Sequence, residues 1–374
     1  MKKKLVNGVL IIGSFGQTNL GDDLLMCNFV DYFSKKGIKK IFVNANNSFN
    51  IPNSIQNKVV VFNTYKSSII TWLKVIFSVD FIVYGGGTIY KELYKSTGRR
   101  KYSVIILICL FNIFTRILNK KIVNCCIGIG SVKTRIGKII IYISLFFSNL
   151  TIFRDSGSYS YAVNDLKLSK ERVFLGVDGL FIDKRWRMDR YKKVKSKKVG
   201  VNFLSDIPDW INEEDYINSI VLFIDYLKFS GYELVFVSFQ KAYNKNNDTV
   251  FFNEKIRPRV KFEIDVLEPG VDNVVSIYND IGYFIGMRLH SLILSTVTYT
   301  PFVAVNYDKK CKNYINDIRY EYSVDLEDIS FDALRREFEA MKNNSKEISK
   351  QLVQITDFQY EIAYNMDKEY FNNI

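Results

Sequence analysis

Short apolar runs alternate with stretches of helical periodicity along almost the whole chain. That alternation limits the fold class more than any other feature. Residues 9–12 form an apolar run, and a glycine-containing loop follows. Residues 22–36 then carry Leu24, Leu25, Phe29, Val30 and Phe33 at helical spacing, and Gly37 stops the pattern. Strand-like runs recur at 41–44, 59–62, 81–84, 122–126 and 150–153. Successive βα units predict a parallel sheet with helices on both faces. After a basic stretch, 184-KRWRMDRYKKVKSKK-198, the alternation restarts. Strands are expected at 198–203, 233–238, 283–286 and 302–306, helices at 215–230 and 291–298, and a helical tail from 331 to about 372. A chain of 374 residues exceeds one average core. The expected class is α/β: one Rossmann-like domain over residues 1–185 and a second over 198–374 that ends in helices, facing each other across a cleft. The basic stretch between them reads as a solvated linker, with contact to a membrane or polyanion as the alternative.

The formal net charge of +13 narrows the partners to an anionic small substrate, an anionic membrane surface or nucleic acid. The basic residues are scattered and no nucleic-acid module is recognisable, so nucleic acid is not an expected partner. Cys27, Cys109, Cys125, Cys126 and Cys311 have no framework spacing, which fits a reducing cytoplasm. No Cys/His set has metal-ligand spacing, and a single histidine builds no His-rich site, so no metal is expected. The apolar stretches 104–114 and 139–153 fall short of the ~20 residues a spanning helix needs. They read first as buried helices or helix–strand pairs. The second reading is an interfacial helix flanked by Lys120, Lys121, Arg135 and Lys138, which brings peripheral contact with the inner face of the cell membrane.

Four loops offer ligand chemistry. The first, 13-GSFGQTNLGDD-23, joins strand to helix and includes Ser14, Asn19, Gly21 and Asp22. Its glycines permit close backbone approach, and the following helix start favours an anion. The spacing is neither GxGxxG nor that of a nucleoside-triphosphate loop, so a dinucleotide site is disfavoured. Asp22 and Asp23 also read simply as charges complementing the helix dipole. The second, 84-YGGGTIYKE-92, gives Gly86 and Gly87 as a ligand floor or a structural turn. The third, 153-FRDSGSYSYA-162, puts Arg154 at a strand end, where open α/β sheets bind ligands; an Arg–Asp structural pair is the alternative. Asp178, in 175-LGVDGLF-181, ends another strand-like run. The fourth, 283-YFIGMRLHSLILST-296, holds His290, the one histidine of the chain. Arg288 supplies a fork of donors for phosphate or carboxylate. His290 can give or take a proton near neutral pH. Ser291 marks the expected helix start.

Taken in order, 12-IGSFGQTNLGDDLL-25, 83-VYGGGTIYKE-92, 127-IGIGSVKT-134, 152-IFRDSGSYSYA-162, 176-GVDGLF-181, 285-IGMRLHSLILS-295 and 301-PFVAVNYDKK-310 resemble the polysaccharide pyruvyl transferase family. The resemblance covers most of residues 8–315. Ser131-Val132 follows Gly130, where the family commonly has a proline. The resemblance implies two Rossmann-like domains in a GT-B-type arrangement. It also implies phosphoenolpyruvate as donor and a pyruvyl ketal on a sugar of a surface glycan or its lipid-linked precursor, with no cofactor. The family's Arg-x-His-Ser pattern falls on Arg288, His290 and Ser291, and its glycine-rich first loop on residues 13–22. On this reading His290 and Arg288 are catalytic. Ser14, Asn19, Gly21, Asp22, Gly86, Gly87, Arg154, Ser291 and Lys309 face the substrates. Two rivals stay open: a GT-B glycosyltransferase using a nucleotide sugar, and a non-catalytic glycan-binding adaptor.

Overall fold

The first apolar run becomes β1 (Gly8–Ile12), whose Val9, Leu10 and Ile11 are wholly buried. A strand covered on both faces needs such a continuous run, which is the mark of a parallel sheet. The computed structural model describes residues 8–46, 51–93, 98–188, 196–205, 207, 208, 210–241 and 247–370. These divide into two units. The first holds residues 8–17, 22–183 and 360–370, and the second 18–21 and 184–359.

In the first unit, β1 leads through α1 (Leu20–Lys35) to β2 (Lys40–Ala45) and β3 (Val60–Asn63). Then come α2 (Ile69–Ser78), β4 (Phe81–Gly85), α3 (Ser103–Ile117), β5 (Lys121–Ile127), α4 (Arg135–Phe146), β6 (Leu150–Phe153), the short α5 (Ser156–Ser160) and β7 (Val173–Leu175). The sheet order is β3-β2-β1-β4-β5-β6-β7, and every pairing is parallel. The order reverses between β1 and β4, where Ile12 lies beside Tyr84. Such a switch point is where ligands bind, outside the carboxyl ends of the strands.

On one face, α2, α3 and α4 lie side by side. Trp72 of α2 meets Phe111 of α3 edge to face at 5.8 Å, and Asn112 of α3 donates to the Ser144 hydroxyl of α4 at 3.0 Å. A buried polar network ties this layer to the sheet. The Tyr84 hydroxyl donates to Asn112 Oδ1 at 2.6 Å, and the Tyr90 hydroxyl to Asn124 Oδ1 at 3.1 Å. Burial pushes the Tyr90 phenol up to about 12, so it serves as a neutral donor.

In the second unit, β8 (Lys198–Asn202), α6 (Glu213–Phe229), β9 (Glu233–Val237), the one-turn α7 (Asp248–Phe251), β10 (Asp265–Leu267) and α8 (Val274–Asp280) follow in turn. The chain continues through β11 (Tyr283–Gly286), α9 (Leu289–Val297), β12 (Phe302–Asn306), α10 (Lys309–Asp317), β13 (Ser323–Asp325), α11 (Phe331–Asn343) and α12 (Ser345–Tyr370). The sheet order is β10-β9-β8-β11-β12-β13, again all parallel, with its switch point between β8 and β11. The expected class, two parallel-sheet α/β domains, is the one found.

Several expectations need correction. The split at 198–374 fails at the C-terminus: residues 360–370 of α12 belong to the first unit. There Lys36 Nζ lies 2.7 Å from Asp367, and the Tyr370 ring stacks near Phe174 at 4.2 Å. A long helix with polar faces gives no sequence signal of where along it the packing partner changes. The first loop is divided as well, with residues 18–21 in the second unit. The basic stretch is not simply solvated: Trp186 and Met188 are buried, while residues 189–195 lie outside the described residues. The apolar stretches are not buried helices throughout. Residues 139–153 are a helix–strand pair, as the first reading allowed, but α3 and α4 keep large apolar side chains in solvent. The helix expected from 291 starts at Leu289, with Arg288 as its N-cap residue.

Candidate functional site

The second unit gathers its chemistry at the carboxyl ends of β8 and β11. These strands are neighbours, with Asn202 opposite Gly286. Two residues beyond β11, the Arg288 backbone N–H donates to Asn202 Oδ1 at 3.2 Å. The Ser291 hydroxyl donates back to the Arg288 carbonyl at 2.6 Å, which fixes the first turn of α9. Arg288 and His290 are thus held by the start of a helix whose dipole favours negative charge.

Asp248 is the residue that sequence reasoning missed here. It is wholly buried and lies 2.6 Å from Arg288 Nη2. Its Oδ2 accepts the Phe239 and Gln240 backbone N–H groups at 3.0 and 3.1 Å, and Asn202 Nδ2 at 3.2 Å. The carboxylate therefore orients the guanidinium and is itself fixed by three donors. The only local signal was the run Asn247-Asp248-Thr249, with Asn247 capping α7 by accepting from Val250 N. That run reads as a helix start and says nothing of Arg288, 40 residues away.

Residues 18–21 lie against the same sheet. Asn19 bridges to Gln240 in an antiparallel pair, and the Leu20 N–H donates to the Phe239 carbonyl at 2.9 Å. This places Gly21 against the histidine: a Cβ built on Gly21 would sit 1.9 Å from His290 Nδ1. Only a glycine lets the ring lie there. Met287 accepts the Cys311 thiol at its carbonyl at 3.2 Å, which sets α10 beside the end of β11. Lys309, the first residue of α10, is exposed.

The first unit has its own group at the ends of β1, β4, β5 and β6. Gly13 N–H donates to Asn44 Oδ1 at 3.0 Å, and Gly16 N–H to Asp23 Oδ1 at 3.0 Å, so the first loop is pinned at two points. Ser14 on it is exposed. After β4 the chain takes left-handed conformations at Gly86 and Gly87, with φ of 73° and 77°. A side chain is strained there. A Cβ on Gly87 would lie 3.6 Å from Asp22 Oδ1. The Gly128 N–H donates to the Gly87 carbonyl at 2.9 Å. Arg154, with its side chain 4% exposed, meets Asp178 Oδ2 at 3.1 Å through Nη1 and the Thr88 hydroxyl at 2.8 Å through Nη2. It thus makes the buried ion pair that was one of its two readings. Asp155 caps α5 by accepting from Ser158 N at 2.8 Å.

Of the expected residues, Asn19, Gly21, Arg288, His290 and Ser291 come together in one unit, and Asp22, Gly86, Gly87 and Arg154 in the other. Among the described residues no three His, Cys, Asp or Glu side chains are grouped as metal ligands.

Solved structures share this fold. UDP-GlcNAc 2-epimerase from Neisseria meningitidis, bound to UDP-GlcNAc, matches with a TM-score of 0.60 at 9% identity, covering 98% of this chain and 100% of that one. HepE from Anabaena, in complex with UDP and glucose, matches at 0.56 and 10% identity, covering 97% and 100%. A glycosyltransferase from Rickettsia africae matches at 0.56 and 10% identity, covering 97% and 94%. At such identities the likeness is one of fold. No curated protein matches the sequence. The family model described as polysaccharide pyruvyl transferase matches residues 19–309, from the Asn19 bridge through the Arg288–Ser291 turn to the start of α10. The chain belongs to the polysaccharide pyruvyl transferase family.

Proposed function

We propose that the protein transfers the pyruvyl group of phosphoenolpyruvate to a sugar of a surface polysaccharide or its lipid-linked precursor. The observation that carries this reading is the Arg288–His290 pair at the start of α9, with Arg288 held by Asp248 and His290 seated on Gly21. Phosphoenolpyruvate carries a carboxylate and a phosphate. A guanidinium with a helix N-terminus suits such anions. His290 gives a proton to the methylene carbon, which leaves C2 electrophilic. One sugar hydroxyl adds to C2 and a second displaces phosphate, completing the ketal. A proton from the acceptor hydroxyls restores the acid. Ser14, Asn19, Asp22, Gly86, Gly87, Arg154, Ser291 and Lys309 are assigned to the substrates in the same reading. The reaction needs no cofactor and takes place in the cytoplasm, at the inner face of the membrane where lipid-linked glycans are built.

The decisive assay offers phosphoenolpyruvate and a panel of nitrophenyl or lipid-linked sugars. The expected result is a product heavier by one pyruvyl ketal, with phosphate released. His290→Ala should lower kcat by on the order of 10²-fold while phosphoenolpyruvate still raises the Tm. The competing reading is a nucleotide-sugar glycosyltransferase, favoured by the UDP ligands of the similar structures. Protection by UDP and none by phosphoenolpyruvate would establish that reading instead.

A further inference from the structure

The helix layer α2–α3–α4 is partly turned inside out. The α3 helix buries Asn112 and Thr115 completely, and α4 buries Ser144 completely. The Asn112 amide and the Ser144 hydroxyl join the network with Tyr84 and Tyr90, and the Thr115 hydroxyl donates to the Phe111 carbonyl of its own helix. The outer surface holds the apolar side chains. Leu107, Leu110 and Ile117 of α3 are 65%, 60% and 77% exposed. Ile136, Ile139 and Phe146 of α4 are all more than half exposed, as are Ile69, Ile70 and Phe77 of α2. Scattered apolar residues on a surface need no explanation, but a contiguous sheet of them over three packed helices does.

The charge on the layer is one-sided. None of the three helices contains Asp or Glu, whereas Lys74, Arg116, Arg135 and Lys138 rise from them. Lys138 lies 3.6 Å from the neighbouring Asp165. At the C-terminal ends of α3 and α4 an open cavity of about 550 Å³ is lined by Arg116 and Arg172 together with Ile117, Phe146 and Phe147. A second copy of this chain would be a poor occupant. An isologous contact sets like patches together, and here it would bring cation to cation with no acid on the three helices to pair them. An apolar floor with a cationic rim fits the boundary between headgroups and acyl chains in an anionic bilayer. Among the described residues no helix is long and apolar enough to cross a membrane.

We infer that the α2–α3–α4 face binds the surface of an anionic phospholipid bilayer, with Leu107, Leu110 and Ile139 entering the interface and the basic side chains meeting lipid phosphates. This deepens the acceptor half of the proposed function, since a lipid-linked sugar would be met at that surface. Vesicle binding is read without phosphoenolpyruvate, so it is decided separately from the donor assay. The test is flotation of the full chain with vesicles of phosphatidylcholine alone or with about one-third phosphatidylglycerol. The expected outcome is binding only to the second, weakened at least about tenfold in molar salt. Leu107→Ser/Leu110→Ser/Ile139→Ser should lose at least about tenfold in partition. Lys74→Glu/Arg135→Glu, at exposed sites, should do the same with an unchanged Tm, which guards against misfolding of the first variant. Equal affinity for both vesicles, or for neither, would overturn the inference. So would a concentration-dependent dimer that the same substitutions dissolve.

Discussion

The seat of His290 on Gly21 makes a one-methyl test possible. An alanine Cβ at 21 would fall 1.9 Å from Nδ1, so the ring must leave its position. Gly21→Ala should therefore lower kcat about as far as His290→Ala, on the order of 10²-fold, while the imidazole remains in the chain. Steady-state kinetics of the two variants, checked by melting curves, would compare them, and a near-normal Gly21→Ala would mean that the ring position is not critical. Asp248 makes a second test. Its pair with Arg288 is buried on the carboxylate side, and removing one member of such a pair costs about 3–5 kcal/mol. Asp248→Asn should lower the Tm and also weaken phosphoenolpyruvate protection, because the guanidinium loses its orienting partner. A variant that melts early yet binds the donor normally would leave Asp248 a purely structural role.

Among the elements, α4 shows how a side chain outside a helix can set its start. Thr134 is the N-cap residue, and Glu92 accepts both its hydroxyl and its backbone N–H, the latter at 2.9 Å. Lys101 Nζ lies 3.1 Å from the other carboxylate oxygen. Burial alone would raise the Glu92 carboxyl; the Thr134 hydrogen bonds and Lys101 outweigh it and hold the group below its ordinary 4.5. A depressed folded-state value means stability that is present above pH 4.5 and is lost as pH falls through the folded value. Glu92→Gln should thus be less stable than wild type at neutral pH, and the gap should shrink on acidification. Tm measured from pH 7 down to about 3 would check this, and a gap independent of pH would rule out the carboxylate as its source.

For the whole molecule, the chain order is not the packing order. The end of α12 returns to the first unit, where Tyr360 packs edge to face on Phe181 at 5.6 Å and Met366 lies beside Gly176. Ending the chain at Gln359 removes the buried Tyr360, Ala363 and Met366. At about 1.5–3 kcal/mol for each large buried side chain, the first unit should lose several kcal/mol. Hydrogen exchange would show α1 and β7 opening more readily, with the strands of the second unit unchanged; uniform exchange in both units would count against separate accounting.

The sequence by itself determined the strands that are buried on both faces. β6, β11 and β12 were legible to the residue, because a covered parallel strand is written as a mostly apolar run, interrupted here only by Thr151 and ended by Asn306. It also showed a helix start beside Arg288 and His290, though two residues late, since glycine, cation and histidine are adjacent in the chain. The edge strands β10 and β13 were not legible, and β7 only as a run placed too late, before Asp178; each is three residues long and half covered, too short for periodicity to register. Only tertiary structure decided that Asp248 holds Arg288, that Gly21 underlies His290, and that α3 and α4 turn Asn112 and Ser144 inward while Leu107, Leu110 and Ile139 stay outside. Each of these depends on which surfaces meet across tens to hundreds of residues. Local pattern cannot encode that meeting, because it is settled by how the layers pack.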